Sequence, residues 1–173
     1  MIIIFKNLNN LGCDCMESKK EKAMALFKEG YNCSQSVFLA YAEDYNIDRE
    51  LALKLSASFG AGMGRMREVC GAVSGMLLVA GLETGATASK DADQKKANYD
   101  MVQKLAEAFR EKNGSIYCKV LLGLVSENDV VKPFNNTTPD KRTAEYYKKR
   151  PCLDLVGDAC DILDSILLKN EDN

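Results

Sequence analysis

The run from Val69 to Leu82, VCGAVSGMLLVAGL, is apolar almost all the way round a helical wheel. A helix of that kind has no polar face to give to water, so other elements must surround it. The run carries three glycines and falls short of the roughly 20 apolar residues that cross a bilayer. Gly71 and Gly75 are four residues apart, which lets a neighbouring backbone come close. The run therefore predicts a buried central helix, from about Glu68 to Leu82.

The rest of the chain reads as helices punctuated by glycine. Ser18 to Glu29 forms one, with Ala23, Leu26 and Phe27 inward, and stops at Gly30. Asn32 is the expected N-cap of a helix from Cys33 to Tyr45. Asp48 caps RELALKLSASF, which ends at Gly60. GAGMGRMRE reads as a flexible turn, and ETGATASKDAD as a linker. Asp91 to Lys112 is the longest helix, ended by Asn113 and Gly114. Ser115 is the expected cap of IYCKVLLGLV. Thr138 and Pro139 open a helical turn that reaches Arg150. Pro151 is the expected first residue of the last helix. No alternating strand pattern extends beyond a few residues. The predicted fold is all-α, a single-domain orthogonal bundle of about six helices around the buried central one.

Charge and residue usage exclude several classes of function. The net charge is −2, so nucleic acid is not an expected partner. KRTAEYYKKR, residues 141–150, reads as the solvated face of a short helix. MIIIF is shorter than the roughly seven apolar residues at the centre of a signal peptide. No membrane association is expected, and the expected location is cytoplasmic, where thiols stay reduced. The chain has no histidine. That removes Ser-His-Asp triads, Cys-His dyads, mixed Cys/His zinc sites and histidine-ligated haem. GAGMG lacks the terminal Lys-Ser/Thr of a phosphate loop and follows a helical run, so it is not read as a nucleotide site.

Seven cysteines remain, without a Cys-x-x-Cys pair. Four of them fall in the first turn of a predicted helix: Cys33 after Asn32, Cys70 in the central helix, Cys118 after Ser115 and Cys152 after Pro151. The first amides of a helix lack internal partners, and the dipole adds positive charge there. A thiolate is stabilised at that position, and cluster sulfurs can be hydrogen-bonded there. Gly71 removes a side chain beside Cys70 at a cost of about 1 kcal/mol of helix propensity. That suits a bound group, and it equally suits close helix packing. Cys160 lies on the apolar face of the last helix and reads as core. Arg65 and Arg67 read as solvated loop side chains. Their functional alternative is a positive field acting on Cys70. Tyr31 and Tyr117 read as residues that staple helix starts.

YNCSQSVFLAYAEDYNID, SFGAGMGRMREVCGAVSGMLLVAGL and CLDLVGDACDIL together resemble the family of redox-active proteins labelled C-GCAxxG-C-C after its cysteine pattern. The resemblance runs from about Met16 to Leu168. It implies four signature cysteines at Cys33, Cys70, Cys118 and Cys152, with Gly71, Ala72 and Gly75 completing the central element. The label writes that centre as Gly-Cys-Ala where this chain has Cys-Gly-Ala, and we read the two as the same element. Some relatives resemble split-Soret cytochromes, with haem and an associated iron–sulfur site. Without histidine, this chain is not expected to carry haem. The resemblance also implies that residues 1–15, with Cys13 and Cys15, are an artefactual or disordered extension, and that 16–173 form the domain.

Three redox or metal readings follow, in this order. The four cysteines hold an iron–sulfur cluster for electron transfer. They work as metal-free thiols in thiol–disulfide exchange. They form an all-cysteine zinc site. A fourth reading is a helical interaction module whose cysteines only pack. The expected partner under the redox readings is an electron donor or acceptor, and a homodimer is compatible with all four.

Overall fold

The computed structural model describes residues 18–126, 134 and 136–167. The proposed extension, residues 1–15 with Cys13 and Cys15, lies outside the described residues. Local sequence chemistry sets most helix starts. Ser18 and Glu21 form a reciprocal capping box that opens α1, Lys19–Glu29. Asn32 and Gln35 do the same for α2, Cys33–Ala42. Asp48 accepts from two amides at the start of α3, Arg49–Ala57. After α4, Gly71–Thr84, Asp91 caps α5, Ala92–Asn113. Two short helices follow, α6 at Cys118–Leu121 and α7 at Ala144–Lys149, and then α8, Cys152–Leu167. Among the described residues there is no strand, only an isolated antiparallel bridge between Val69 and Tyr117. The fold is all-α, and six of its helices have nine or more residues. No helix of the described residues is long and apolar enough to cross a membrane.

Several boundaries differ from expectation for identifiable reasons. α2 stops at Ala42, and the chain tightens into a 3₁₀ turn over Glu43–Tyr45 that ends on left-handed Asn46. Ser115 does not cap a helix. Its hydroxyl accepts from the Tyr117 amide in a local turn, so the helix starts at Cys118 with Tyr117 at the cap. Thr143, not Thr138 or Pro139, caps the helix that precedes Arg150. Pro151 sits just before α8, and its carbonyl accepts the Leu155 amide.

The centre of the molecule is a pair of helices. α4 is buried at Gly71 to Met76, Val79 and Ala80, as its sequence requires. α2 is buried at nine of its ten residues. The glycines of α4 let the two backbones meet. A Cβ on Gly75 would stand 2.8 Å from the Ser34 carbonyl oxygen and 2.9 Å from Val37 Cβ. One on Gly71 would stand 3.1 Å from Cys33 Cβ. α1, α3, α5 and α8 then wrap this pair. Phe27, Phe38, Phe109, Met76, Leu105 and Leu163 fill the spaces between them.

This packing makes opposite predictions for two glycines of one helix. Gly81 meets nothing within 4 Å. Gly81→Ala is expected to raise unfolding stability by about 0.5–1 kcal/mol through helix propensity. Gly75→Ala gains the same propensity but must push α2 away, so it is expected to lose about 1–3 kcal/mol. Urea unfolding of both variants checks the two signs.

Candidate functional site

All four predicted cysteines face one cavity of about 300 Å³. Each is buried, with 4–8% of its surface exposed, and each is a free thiol. Cys33 is the first residue of α2, Cys118 of α6 and Cys152 of α8. Cys70 is the N-cap of α4. Three therefore stand in a first turn as expected, and Cys70 stands one residue before it, because α4 starts at Gly71 rather than near Glu68. Cys160, also fully buried, packs elsewhere in the core of α8.

Local contacts bring the four together across long stretches of chain. Gly71 leaves room for the Cys33 side chain beside the start of α4. Residues 67–70 and 116–119 form an antiparallel clasp. In it the Cys70 amide donates to the Ile116 carbonyl at 2.8 Å, the Cys118 amide to Glu68 at 2.6 Å and the Lys119 amide to Arg67 at 3.0 Å. Lys119 Nζ closes the clasp on the Glu68 carboxylate at 3.1 Å. Gly62 packs under Cys118, where a Cβ would stand 2.6 Å from the cysteine's own Cβ. Gly71 lines the cavity. The Ala72 amide lowers the pKa of the Cys70 sulfur, and Gly75 lies one turn further on, against α2.

The turn between α3 and α4 is unusual. Gly60 and the residues after it keep helical hydrogen bonds, from Met63 to Phe59 and from Gly64 to Gly60. Yet Ala61, Met63, Arg65 and Arg67 all stand at positive φ, between 55° and 72°. Such a run of left-handed residues is costly for side chains with a Cβ and persists only where the surroundings hold it. Here the surroundings are charged. Arg65 pairs with Asp140 at 3.0 Å, and Arg150 reaches the same carboxylate at 3.1 Å. Arg67 is 7% exposed. It stands 3.7 Å from Asp140 and 3.9 Å from Cys118 Sγ.

These arginines correct the sequence reading. Arg65 and Arg67 are not solvated loop side chains but part of the cavity wall. The field of Arg67 falls on Cys118 and Cys152 rather than Cys70. The basic stretch 141–150 is likewise more than a solvated face, because Arg142, Tyr146 and Arg150 line the same cavity. Asp140 and these three residues carried no local signal, since their partners lie far away in the chain. Tyr31 and Tyr117 flank the site outside its lining. Arg49 packs on the first ring and Lys119 over the second.

The four thiols are not electrostatically equivalent. The neighbouring Cys33 thiol lowers the Cys152 pKa to about 7, with Arg150, Arg142 and Arg67 adding to the effect against burial. The same pairing with Cys152, followed by burial, raises Cys33 well above an ordinary thiol. Burial pushes Cys70 up to about 12, although the Ala72 and Val73 amides oppose it. Burial also raises Cys118, against the pull of Arg67. A helix start alone therefore does not acidify a thiol here. The acidified sulfur is the one that also has a neighbouring thiol and three guanidinium groups around it.

The sulfurs feel one another's charge: Cys33 that of Cys152, Cys70 and Cys118, Cys70 that of Cys118 and Cys152, and Cys118 that of Cys152. Among the described residues, however, no three Cys, Asp or Glu side chains close around a point suited to a single metal ion. A zinc ion asks for four sulfurs about 2.3 Å from one point. A cluster places several irons between its thiolates and asks for a wider ring of sulfurs around a cavity.

In metal-free protein, alkylation at Cys152 is expected to rise through about pH 7, well before Cys70 reacts. Cys33→Ala removes the neighbouring thiol and is expected to shift that midpoint upward. Peptide mapping of iodoacetamide adducts against pH checks both statements.

No curated protein and no solved structure matches the chain. The family model described as "Putative redox-active protein (C_GCAxxG_C_C)" matches residues 31–166, a span that begins before Cys33 and ends after Cys152. The chain belongs to that family.

Proposed function

We propose that the chain is an electron-transfer protein whose Cys33, Cys70, Cys118 and Cys152 hold an iron–sulfur cluster in their shared cavity. One observation carries this reading: four buried thiols, each at the start of a different helix, line one cavity of about 300 Å³. Four thiolates are the usual ligand set of such clusters, which supply one-electron chemistry when bound. The chain's own residues supply the rest. The Ala72 and Val73 amides point positive charge at the Cys70 sulfur. Arg67 and Arg150 set guanidinium charge against the thiolates that the ligand role requires. Burial keeps bulk water off the sulfurs, which favours electron exchange over hydrolysis or oxidation of the site.

A second reading is favoured by the electrostatic pairing of Cys33 and Cys152 on the wall of one cavity. In it, the Cys152 thiolate attacks a partner's disulfide and releases one partner sulfur as a thiol. Cys33 then loses its proton and displaces the second sulfur, leaving a Cys33–Cys152 disulfide and a reduced partner.

Anaerobic purification tests the first reading, with an absorption spectrum and with iron, zinc and acid-labile sulfide assayed on the same sample. Iron and sulfide with visible charge-transfer bands are expected. Alanine at any of the four cysteines is expected to remove the bands while the far-ultraviolet helix signal stays. Cys160→Ala is expected to keep them. A colourless, metal-free protein would overturn the cluster. The thiol reading then predicts that Cys33 and Cys152 titrate together as a two-electron couple, with about 30 mV per tenfold change in redox ratio.

A further inference from the structure

The cavity wall carries four guanidinium groups, those of Arg65, Arg67, Arg142 and Arg150, and one carboxylate, Asp140. Three of the arginines share that carboxylate. Arg142 has no acidic partner among the described residues. Its Cζ lies over the rings of Phe27 and Tyr146, 4.4 and 4.8 Å from their centroids. Its Nη2 donates to the Tyr31 carbonyl at 3.2 Å. Its Nη1 is buried and, among the described residues, has no hydrogen-bond partner.

That combination calls for a ligand. A guanidinium packed over aromatic rings is held in place by cation–π attraction. A buried charged N–H without an acceptor is unfavourable, and native proteins rarely keep one without a use. The surrounding wall has an excess of positive charge, and the space beside Arg142 is a cavity rather than packed core. Guanidinium groups of this kind bind oxyanions through paired N–H donors.

We propose that the cavity binds a small oxyanion at Arg142, next to the four cysteines. The ligand is a carboxylate or a tetrahedral oxoanion, met by the guanidinium groups that line the cavity. Arg150 and Arg67 supply further positive field from the same wall. The site goes beyond the cluster reading and stands on the arginines alone, so it holds with or without iron. It makes a small anion, rather than a protein surface alone, a ligand of the redox centre.

Isothermal titration of the anaerobically purified, reduced full chain tests this, with sulfate, phosphate and acetate as probes and sodium chloride at matched ionic strength as the control. Saturable one-to-one binding of at least one probe is expected. A preference for sulfate or phosphate identifies a tetrahedral oxoanion, and a preference for acetate a carboxylate. Arg142→Gln is expected to weaken binding at least tenfold. Arg142→Lys retains the charge and is expected to fall between the two. Arg110→Gln, on the outer face of α5, is expected to change nothing. The bound anion is also expected to slow alkylation of Cys152 in the unmutated protein, a readout that needs no variant to fold. No saturable heat with any probe, or equal binding by Arg142→Gln, would overturn the proposal. Iron and sulfide content, assayed separately, decides the cluster independently.

Discussion

The contact on which the site depends is the meeting of two helix backbones at Gly71 and Gly75. Where Gly75 lies, the Ser34 carbonyl leaves no room for a methyl group. One turn earlier, Gly71 leaves just enough for the Cys33 side chain. The close crossing thus does two things at once. It buries the most apolar helices against each other, and it sets the starts of α2 and α4 side by side with a cysteine at each. Close packing and a site beside the sulfur are rival explanations of Gly71 in the sequence. In the fold they are one arrangement.

The other two cysteines arrive by different means. Cys118 is delivered by the clasp between residues 67–70 and 116–119, in which backbone groups pair as in a fragment of sheet. Cys152 is delivered by α8, which packs on α1, α4 and α5. Asp140 then gathers Arg65, Arg67 and Arg150 at the wall. That gathering offers a physical reason why four residues with side chains tolerate left-handed backbone between Ala61 and Arg67. The cost of the strained turn is offset by the charge network it aims at the cavity.

What the sequence made legible was local. Ser18, Asn32, Asp48 and Asp91 cap helices through contacts within three residues, so their roles can be read from neighbouring letters. The apolar run at Val69–Leu82 announced its own burial. The cysteines at helix starts followed from those two readings. Residues defined by distant partners were not legible. Arg67 and Cys118 are 51 positions apart, and Arg142 and Tyr31 are 111 apart. Nothing in MGRMRE or KRTAEYYKKR distinguishes a buried guanidinium from a solvated one. Ser115 shows the converse limit: its spacing suits a cap, but its hydroxyl is taken by the Tyr117 amide two residues on.

The central claim is that four cysteines from four helices form one redox centre around a single cavity. The most direct measurement is a crystal structure of anaerobically purified protein, with anomalous diffraction collected at the iron edge. The account predicts iron density inside the cavity, bonded to Cys33, Cys70, Cys118 and Cys152. Iron bound elsewhere, or a cavity without iron whose four sulfurs face apart, would contradict it.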